Sequence, residues 1–190
     1  MKTLLALLVA LTPSLAFAHA GIGDTHGVAH GFMHPLGGPD HILAMVAVGL
    51  FAAHPRGGRA LWLVPVSFVA MMAFGGGLGM AGVELPYVEI GIGLSVVVLG
   101  IVIATGVHPP VAIAMALVGF FAIFHGHAHG AGMPETVSAL AYGAGFILAT
   151  GLLHATGIAL GLLIGRERRV TRFAGSAMAL AGIGILGGLI

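Results

Sequence analysis

The chain has 190 residues, with 7 Lys and Arg against 6 Asp and Glu, so that its formal net charge is +1. Charged residues make up 7% and hydrophobic residues 58% of it, whereas roughly 25% of an ordinary soluble domain is charged. This composition excludes a soluble globular domain, a disordered segment and a nucleic-acid-binding protein, which needs a basic surface. It indicates an all-α membrane protein, because long apolar runs dominate the sequence.

Two residue types set limits on the chemistry. Cysteine is absent from the sequence, which excludes disulfides, thiolate metal sites and thiol catalysis. Histidine occurs 11 times, more often than Lys and Arg together. Imidazole is therefore the main candidate for any metal or proton chemistry.

The first 18 residues are typical of a secretory signal peptide. Lys2 precedes an apolar run, Pro13 interrupts that run, and residues 16–18 form a small-residue cleavage site. We expect cleavage after Ala18, which leaves residues 19–190 as one domain whose N-terminus, His19, lies outside the cytoplasm. An uncleaved first helix is the alternative.

Hydrophobic runs separated by Gly, Pro and charge predict a bundle of six transmembrane helices. The predicted spans are 36–54, 60–81, 86–106, 109–126, 136–164 and 172–190. The arginines all lie in or beside the loops that follow the first and fifth spans. Because short cytoplasmic loops collect cationic side chains, both ends of the mature chain are predicted on the opposite, outer side of the membrane.

Glycine occurs 33 times, often at intervals of four. Such intervals place small residues on one helix face, where backbones approach closely. The faces at Gly75 and Gly79, at residues 157–165, and at Gly184 and Gly188 predict either tight packing within the bundle or a homo-oligomer interface.

Two segments and one isolated residue carry the candidate chemistry. Residues 34–41 read HPLGGPDH, residues 124–130 read FHGHAHG, and His154 lies alone in the fifth span. At 1.5 Å per residue, His41, His125 and His154 lie roughly 20, 22 and 16 Å from the arginine-bearing ends of their spans. All three are then inside a hydrocarbon core of about 30 Å. Ionisable residues there usually face a cavity or one another, which predicts one metal site.

The first segment also predicts a break in the first helix. Pro35 and Pro39 lack the backbone N–H, and the Gly37–Gly38 pair permits unusual dihedral angles. We expect the helix to restart with Pro39 in its first turn, as broken membrane helices do where they line a binding site. Asp40 would either bind the metal or orient an imidazole.

Several other histidines have two open interpretations. His26, His30 and His34 recur every four residues, so that a helix would place them on one face. Together with His19 they form either an outer surface that collects ions or an exposed helix with incidental histidines. The same alternatives apply to His127 and His129.

The two motifs, HPxxGxDH and FHGxAHG, resemble those of the HupE/UreJ family of bacterial membrane proteins. That family is associated with nickel supply for hydrogenase and urease, and some members with cobalt. The resemblance implies an inner-membrane permease that imports nickel or cobalt as its substrate, with no bound cofactor and no enzymatic activity. Its implied metal-binding positions are His34, Asp40, His41, His125 and His129. The family's second motif commonly continues to an acid, where this chain has Gly132; Glu135 is the nearest acid.

Nitrogen and oxygen ligands suit nickel, cobalt, zinc and copper alike, so other functions stay open. An intramembrane zinc hydrolase would also use three His and an Asp, a b-type cytochrome would use paired histidines, and a sensor or storage accessory would bind metal without transporting it. The sequence has no Walker motif for ATP. A gradient, the membrane potential or a partner chain would therefore drive transport.

Overall fold

The computed structural model describes residues 24–53, 58–134, 136–164 and 167–189, and all regular structure in these ranges is helical. The helices are α1 (Asp24–Met33), α2 (Pro39–Ala53), α3 (Ala60–Met80), α4 (Val88–Thr105), α5 (Val111–Ala131), α6 (Ala139–Ile164) and α7 (Arg168–Leu186), with a 3-10 turn at His34–Leu36. The predicted signal peptide, His19, Glu135 and the side chain of His26 lie outside the described residues.

Four of the described helices, α3 to α6, are long and apolar enough to cross a membrane. The bent pair formed by residues 27–36 and 39–53 makes a fifth if it counts as one span. Helix α7 is not in this group, and it carries Arg168, Arg169 and Arg172 in its first turns. The all-helical membrane fold is thus confirmed with four to five candidate spans, and the sixth span stays a prediction.

The first span is broken where the sequence predicts. Helix α1 and the 3-10 turn meet α2 at an angle of 83°. Pro39 is the first residue of α2, and the N–H of Ile42 donates to the Gly38 carbonyl at the start of the helix. The break therefore comes from residues that cannot continue a helix, followed by a proline suited to begin one.

Helix α5 extends further than the sequence indicates. The predicted span ends at 126, whereas the helix continues to Ala131 and includes His127 and His129. Glycine often ends a helix, but here Gly126 faces the α3 backbone at Met72, and Gly130 faces it at Gly76. A side chain at either position would collide with that backbone, so these glycines serve close packing.

Other pairs of helices meet in the same way. Gly49 of α2 faces the backbone of α6 near His154, and Gly157 of α6 faces α2 near Val46. Gly100 of α4 faces α7, and Gly31 beside the break faces the backbone of α6 at Tyr142. The glycine faces at Gly75, Gly79, Gly157 and Gly161 pack against helices of the same chain.

Consecutive helices alternate in direction, which gives the bundle two different ends. Helices α2, α4 and α6 begin, and α3 and α5 end, at the end that carries the two histidine motifs, which we call the histidine end. The opposite end, near residues 53–60, 105–111 and 164–172, is the arginine end. Between them lies an apolar core. It includes Val48, Phe51, Val64, Phe68, Leu99 and Val118.

Candidate metal-binding site

Asp40 and His41 form a tight pair in the first turn of α2. One carboxylate oxygen of Asp40 accepts the backbone N–H of His41 at 2.8 Å and lies 2.9 Å from the Nδ1 of its ring. Because an ionised carboxylate only accepts, Nδ1 carries the hydrogen and Nε2 keeps a lone pair. That Nε2 is buried and has no hydrogen-bond partner in the part of the chain that the structure describes. A carboxylate that fixes an imidazole in this way is the usual support of a metal-binding histidine.

Gly38 provides the space for this pair. A Cβ at Gly38 would collide with the Asp40 carboxylate and would lie 3.2 Å from Nδ1 of His41. The second glycine of the motif is therefore required by the orientation of Asp40, in addition to the break in the helix.

His125 on α5 is fully buried, and Ser95 of α4 sets its tautomer. The Ser95 hydroxyl donates to the Ile92 carbonyl at 2.6 Å, and its oxygen lies 3.0 Å from Nε2 of His125. Since the single hydroxyl hydrogen is already engaged, Nε2–H of His125 donates to Ser95. Nδ1 of His125 therefore keeps its lone pair, and it too is buried without a partner among the described residues.

His129 lies one turn further along α5 and is 5% exposed. Its ring contacts His41 at a centroid distance of 4.4 Å and His34 at 4.7 Å. Within the described part of the chain, neither of its nitrogens has a hydrogen-bond partner. Phe146 of α6 packs against the ring at a centroid distance of 4.1 Å. An apolar side chain therefore covers one side of an imidazole whose nitrogens no described group satisfies.

These side chains form a continuous run that begins at the surface. His30 is exposed and lies 6.1 Å from the half-buried His34, as the four-residue interval predicts. From His34 the run continues through His129 and His41 to His125, which lies 5.0 Å from His41. We call His34, Asp40, His41, His125 and His129 the histidine cluster. It unites the residues of the two sequence motifs.

The rings of the cluster meet edge to face. In the described ranges, no three His, Asp or Glu side chains are placed so as to hold one metal ion. The cluster is therefore a set of adjacent rings with unpaired nitrogens rather than a formed coordination shell. Rotation of the imidazoles about their side-chain bonds would be needed for two or more of them to share an ion.

His154 is separated from the cluster. Its ring lies 5.1 Å from that of Phe68, and Phe68 in turn lies 5.6 Å from His125. In the described structure no ring contact joins His154 to His41 or His125, so a single metal site formed by these three residues stays a prediction. A distance counted along a single helix takes no account of the tilt of that helix or of a side chain from a neighbouring helix.

His127 differs from its neighbours in α5. It is 8% exposed, and its Nε2–H donates to the carbonyl of Val83 in the α3–α4 connection at 2.7 Å. Because His127 is two residues away from both His125 and His129, it lies on the opposite side of α5 and away from the cluster. Its geometry favours a structural interpretation over a role in ion collection.

Tyr142 is a residue that the sequence did not single out. It is 4% exposed, and its buried hydroxyl has no hydrogen-bond partner in the described structure. Its ring contacts His34 at 5.8 Å and lies 6.0 Å from His30. Only the close packing of α1 on α6 through Gly31 brings it there, and no local sequence pattern signals such a contact.

The position at which the family commonly has an acid is a helix end in this chain. Gly132 follows the last residue of α5, and its N–H donates to the Ala128 carbonyl. Glu135, the candidate substitute, lies outside the described residues. Asp40 is the carboxylate that the described structure brings to the cluster.

The helices and the buried histidines define the class of protein as a multi-pass membrane protein with an ionisable cluster inside its bundle. The family model described as HupE / UreJ protein matches residues 6–185. The protein named "Protein HupE" from Rhizobium leguminosarum bv. viciae is 48% identical over 178 residues, covering 93% of this chain and 92% of the relative. The chain belongs to the HupE/UreJ family. No solved structure matches it.

Membership of this family bears on the alternative functions. HupE/UreJ proteins are transporter and accessory proteins, not enzymes, and the family implies no bound cofactor. This finding removes the zinc hydrolase. The cytochrome alternative also lacks support from the geometry, because His41 and His125 are in direct ring contact and leave no gap for a porphyrin between them.

Proposed function

We propose that this chain is a permease that imports nickel, and cobalt as a second substrate, across the bacterial inner membrane for the maturation of metalloenzymes. The observation that carries the proposal is the run of adjacent imidazoles from His34 to His125, in which His41, His125 and His129 have buried ring nitrogens without a partner among the described residues. Family membership supports the same function. A divalent ion would exchange its hydration water for these nitrogens as it moves into the bundle.

The arrangement around Asp40 supports a cationic substrate. The N-terminus of α2 carries positive partial charge and would repel a cation. The Asp40 carboxylate lies at this N-terminus, is 18% exposed, and compensates that charge while orienting His41. Neutral imidazoles and one carboxylate suit a borderline divalent ion such as Ni²⁺ or Co²⁺ better than a hard ion such as Mg²⁺.

The position of the cluster supports arrival from the histidine end. His30 is exposed and His34 half-buried, whereas His125 is fully buried, so that accessibility falls along the run. The arginines lie at the opposite end, which the distribution of cationic loops assigns to the cytoplasm. We propose that the histidine end is periplasmic, as cleavage of residues 1–18 would also require.

The direction of transport has a sufficient driving force. A negative-inside potential favours the inward movement of a dication by about 4.6 kcal/mol per 100 mV, at about 2.3 kcal/mol for each charge. Release on the cytoplasmic side would follow from rocking of the bundle or protonation of the imidazoles, since histidine titrates near neutral pH.

Metal uptake into proteoliposomes tests the proposal. Purified protein is reconstituted with an internal metal-sensitive dye, Ni²⁺ or Co²⁺ is added outside, and a potassium–valinomycin gradient sets a negative-inside potential. The parent should take up metal, while Asp40→Ala and His41→Ala should reduce uptake to that of empty vesicles. Parent-like uptake by both variants would show that the site is wrong. Metal binding by the parent without uptake would favour the accessory or sensor function instead.

A further inference from the structure

His154 is a buried histidine with no structural partner. It is 2% exposed, and both of its ring nitrogens lack a hydrogen-bond partner in the described residues. A polar group in this condition destabilises the fold relative to an apolar side chain of similar size. Nothing in the packing of α6 therefore accounts for an imidazole at this position.

His154 lies deeper in the bundle than the cluster. Its backbone faces Gly49 of α2, which is eight residues, or about 12 Å along the helix axis, beyond His41. Because α6 begins at the histidine end and side chains tilt toward the N-terminus of their helix, the ring is directed back toward the cluster. The ring of Phe68 is in contact with both His154 and His125.

Two further donor atoms lie close to this level. Thr150 precedes His154 by one turn of α6, on the same face, and is fully buried. Its hydroxyl lies 3.8 Å from the sulfur of Met72, one turn beyond Phe68 on α3. Because α6 begins and α3 ends at the histidine end, Thr150 and Met72 lie one turn nearer the cluster than His154 and Phe68 do.

We propose that His154 is a second binding position for a divalent transition-metal ion, separate from the histidine cluster. This inference rests on the proposed transport function. The phenyl ring of Phe68 is in contact with both histidines, so that an ion passing from His125 to His154 moves along this ring. A sparse and neutral set of donors binds weakly, which lets the ion continue toward the arginine end.

The side chains around His154 support its place as the last binding position on the route from the histidine end. Toward the arginine end, the buried residues of the neighbouring helices are apolar. They include Leu50, Phe51, Val64, Leu99 and Val118. Among the described residues, His154 is the buried histidine nearest the arginine end, and apolar side chains fill the core beyond it.

Metal stoichiometry and flux measured together test the second position. Full-length parent and His154→Leu are purified in detergent, titrated with Ni²⁺ by calorimetry, and reconstituted for uptake. The parent should bind two ions per chain and His154→Leu one, with the affinity of the tighter site within about twofold of the parent. Uptake by His154→Leu should fall at least tenfold, and its melting temperature should equal or exceed that of the parent.

Two further variants keep the outcomes distinct. His154→Gln retains a polar side chain and serves if the leucine variant does not fold, with the same expected losses. His127→Gln, at a buried histidine outside the route, should keep both ions and parental uptake. Parental stoichiometry and uptake in His154→Gln would overturn the second position. Absence of uptake by the parent itself would instead overturn the permease function.

Discussion

The two ends of the bundle bury different side chains on the same helices. From the histidine end down to His154, the described helices bury Ser95, four histidines and Thr150. Toward the arginine end they bury aliphatic and aromatic side chains, and Thr171 is the single buried polar side chain described there. The Thr171 hydroxyl is satisfied by the backbone carbonyls of Ile164 and Glu167, whereas six imidazole nitrogens in the other half have no partner among the described residues.

The two halves of the bundle therefore contribute differently, one to stability and the other to binding. An apolar core is stabilised by each residue that it buries, while an unpaired buried nitrogen lowers stability. The half with the apolar core thus holds the helices together and closes the route. The half with the histidines is less stable than it could be, as expected where binding requires free ligands.

The largest expected effect is a loss of stability at the contact between α3 and α5, because these helices run through both halves of the bundle. Gly126→Ala adds a methyl group that meets the backbone of Met72 and Gly76. Because neither backbone can move without separating the helices, we expect a loss of at least about 3 kcal/mol of stability, seen as a low yield and a lowered melting temperature in detergent.

Gly77→Ala is the matched control for this substitution. Gly77 lies in α3, and a Cβ there would meet nothing within 4 Å. Its replacement should leave stability unchanged or raise it by up to about 1 kcal/mol through helix propensity. Equal melting temperatures for the two variants would show that α3 and α5 do not approach as closely as described.

The next largest effect distinguishes two histidines of one helix. His129→Gln removes a ring of the cluster and should reduce Ni²⁺ uptake at least about 100-fold, since loss of even a supporting partner of a ligand typically costs 10- to 100-fold. His127→Gln removes the donor to the Val83 carbonyl and should lower stability by about 1 kcal/mol with uptake per folded protein retained. The reverse pattern in the uptake assay would exchange their roles.

Much of the difference between the two ends of the bundle could be predicted from the sequence. The apolar runs gave the helices of the bundle, and Pro35, Pro39 and the glycines between them gave the break before α2. The two motifs gave the members of the cluster, because the residues of each motif lie near each other in the sequence. Local composition carries this information, since helix boundaries and breaks depend on adjacent residues.

Features that depend on packing between distant helices were not predictable. The extension of α5 past Gly126 follows from the approach of α3, and the contact of Tyr142 with His34 follows from the packing of α1 on α6. The ring of Phe68, which contacts both His125 and His154, comes from a third helix. A helical pattern reports the face of one helix and not the neighbour that meets it.

Asp40→Asn tests whether the carboxylate acts through His41. An asparagine oxygen still accepts the His41 N–H, but the charge that offsets the N-terminus of α2 is lost. We expect Ni²⁺ affinity to fall 10- to 100-fold with little change in melting temperature, as measured by calorimetry. Glu84→Gln, at an exposed acid near the same end, should keep parental affinity. A similar loss in both variants would indicate a general effect of charge rather than the Asp40–His41 pair.

The smallest effect is expected at Tyr142, where the cluster borders a hydroxyl. Tyr142→Phe keeps the ring that packs against His34 and Phe146 and removes only an oxygen that has no hydrogen-bond partner among the described residues. If this hydroxyl bonds to the arriving ion or its water, uptake should slow by about two- to tenfold, the value of one hydrogen bond, with the melting temperature unchanged or raised. The chain's other tyrosine, Tyr87, is 76% exposed, and Tyr87→Phe should have no effect on uptake. Parental uptake by both variants would limit Tyr142 to packing and leave the cluster's nitrogens as the ligands.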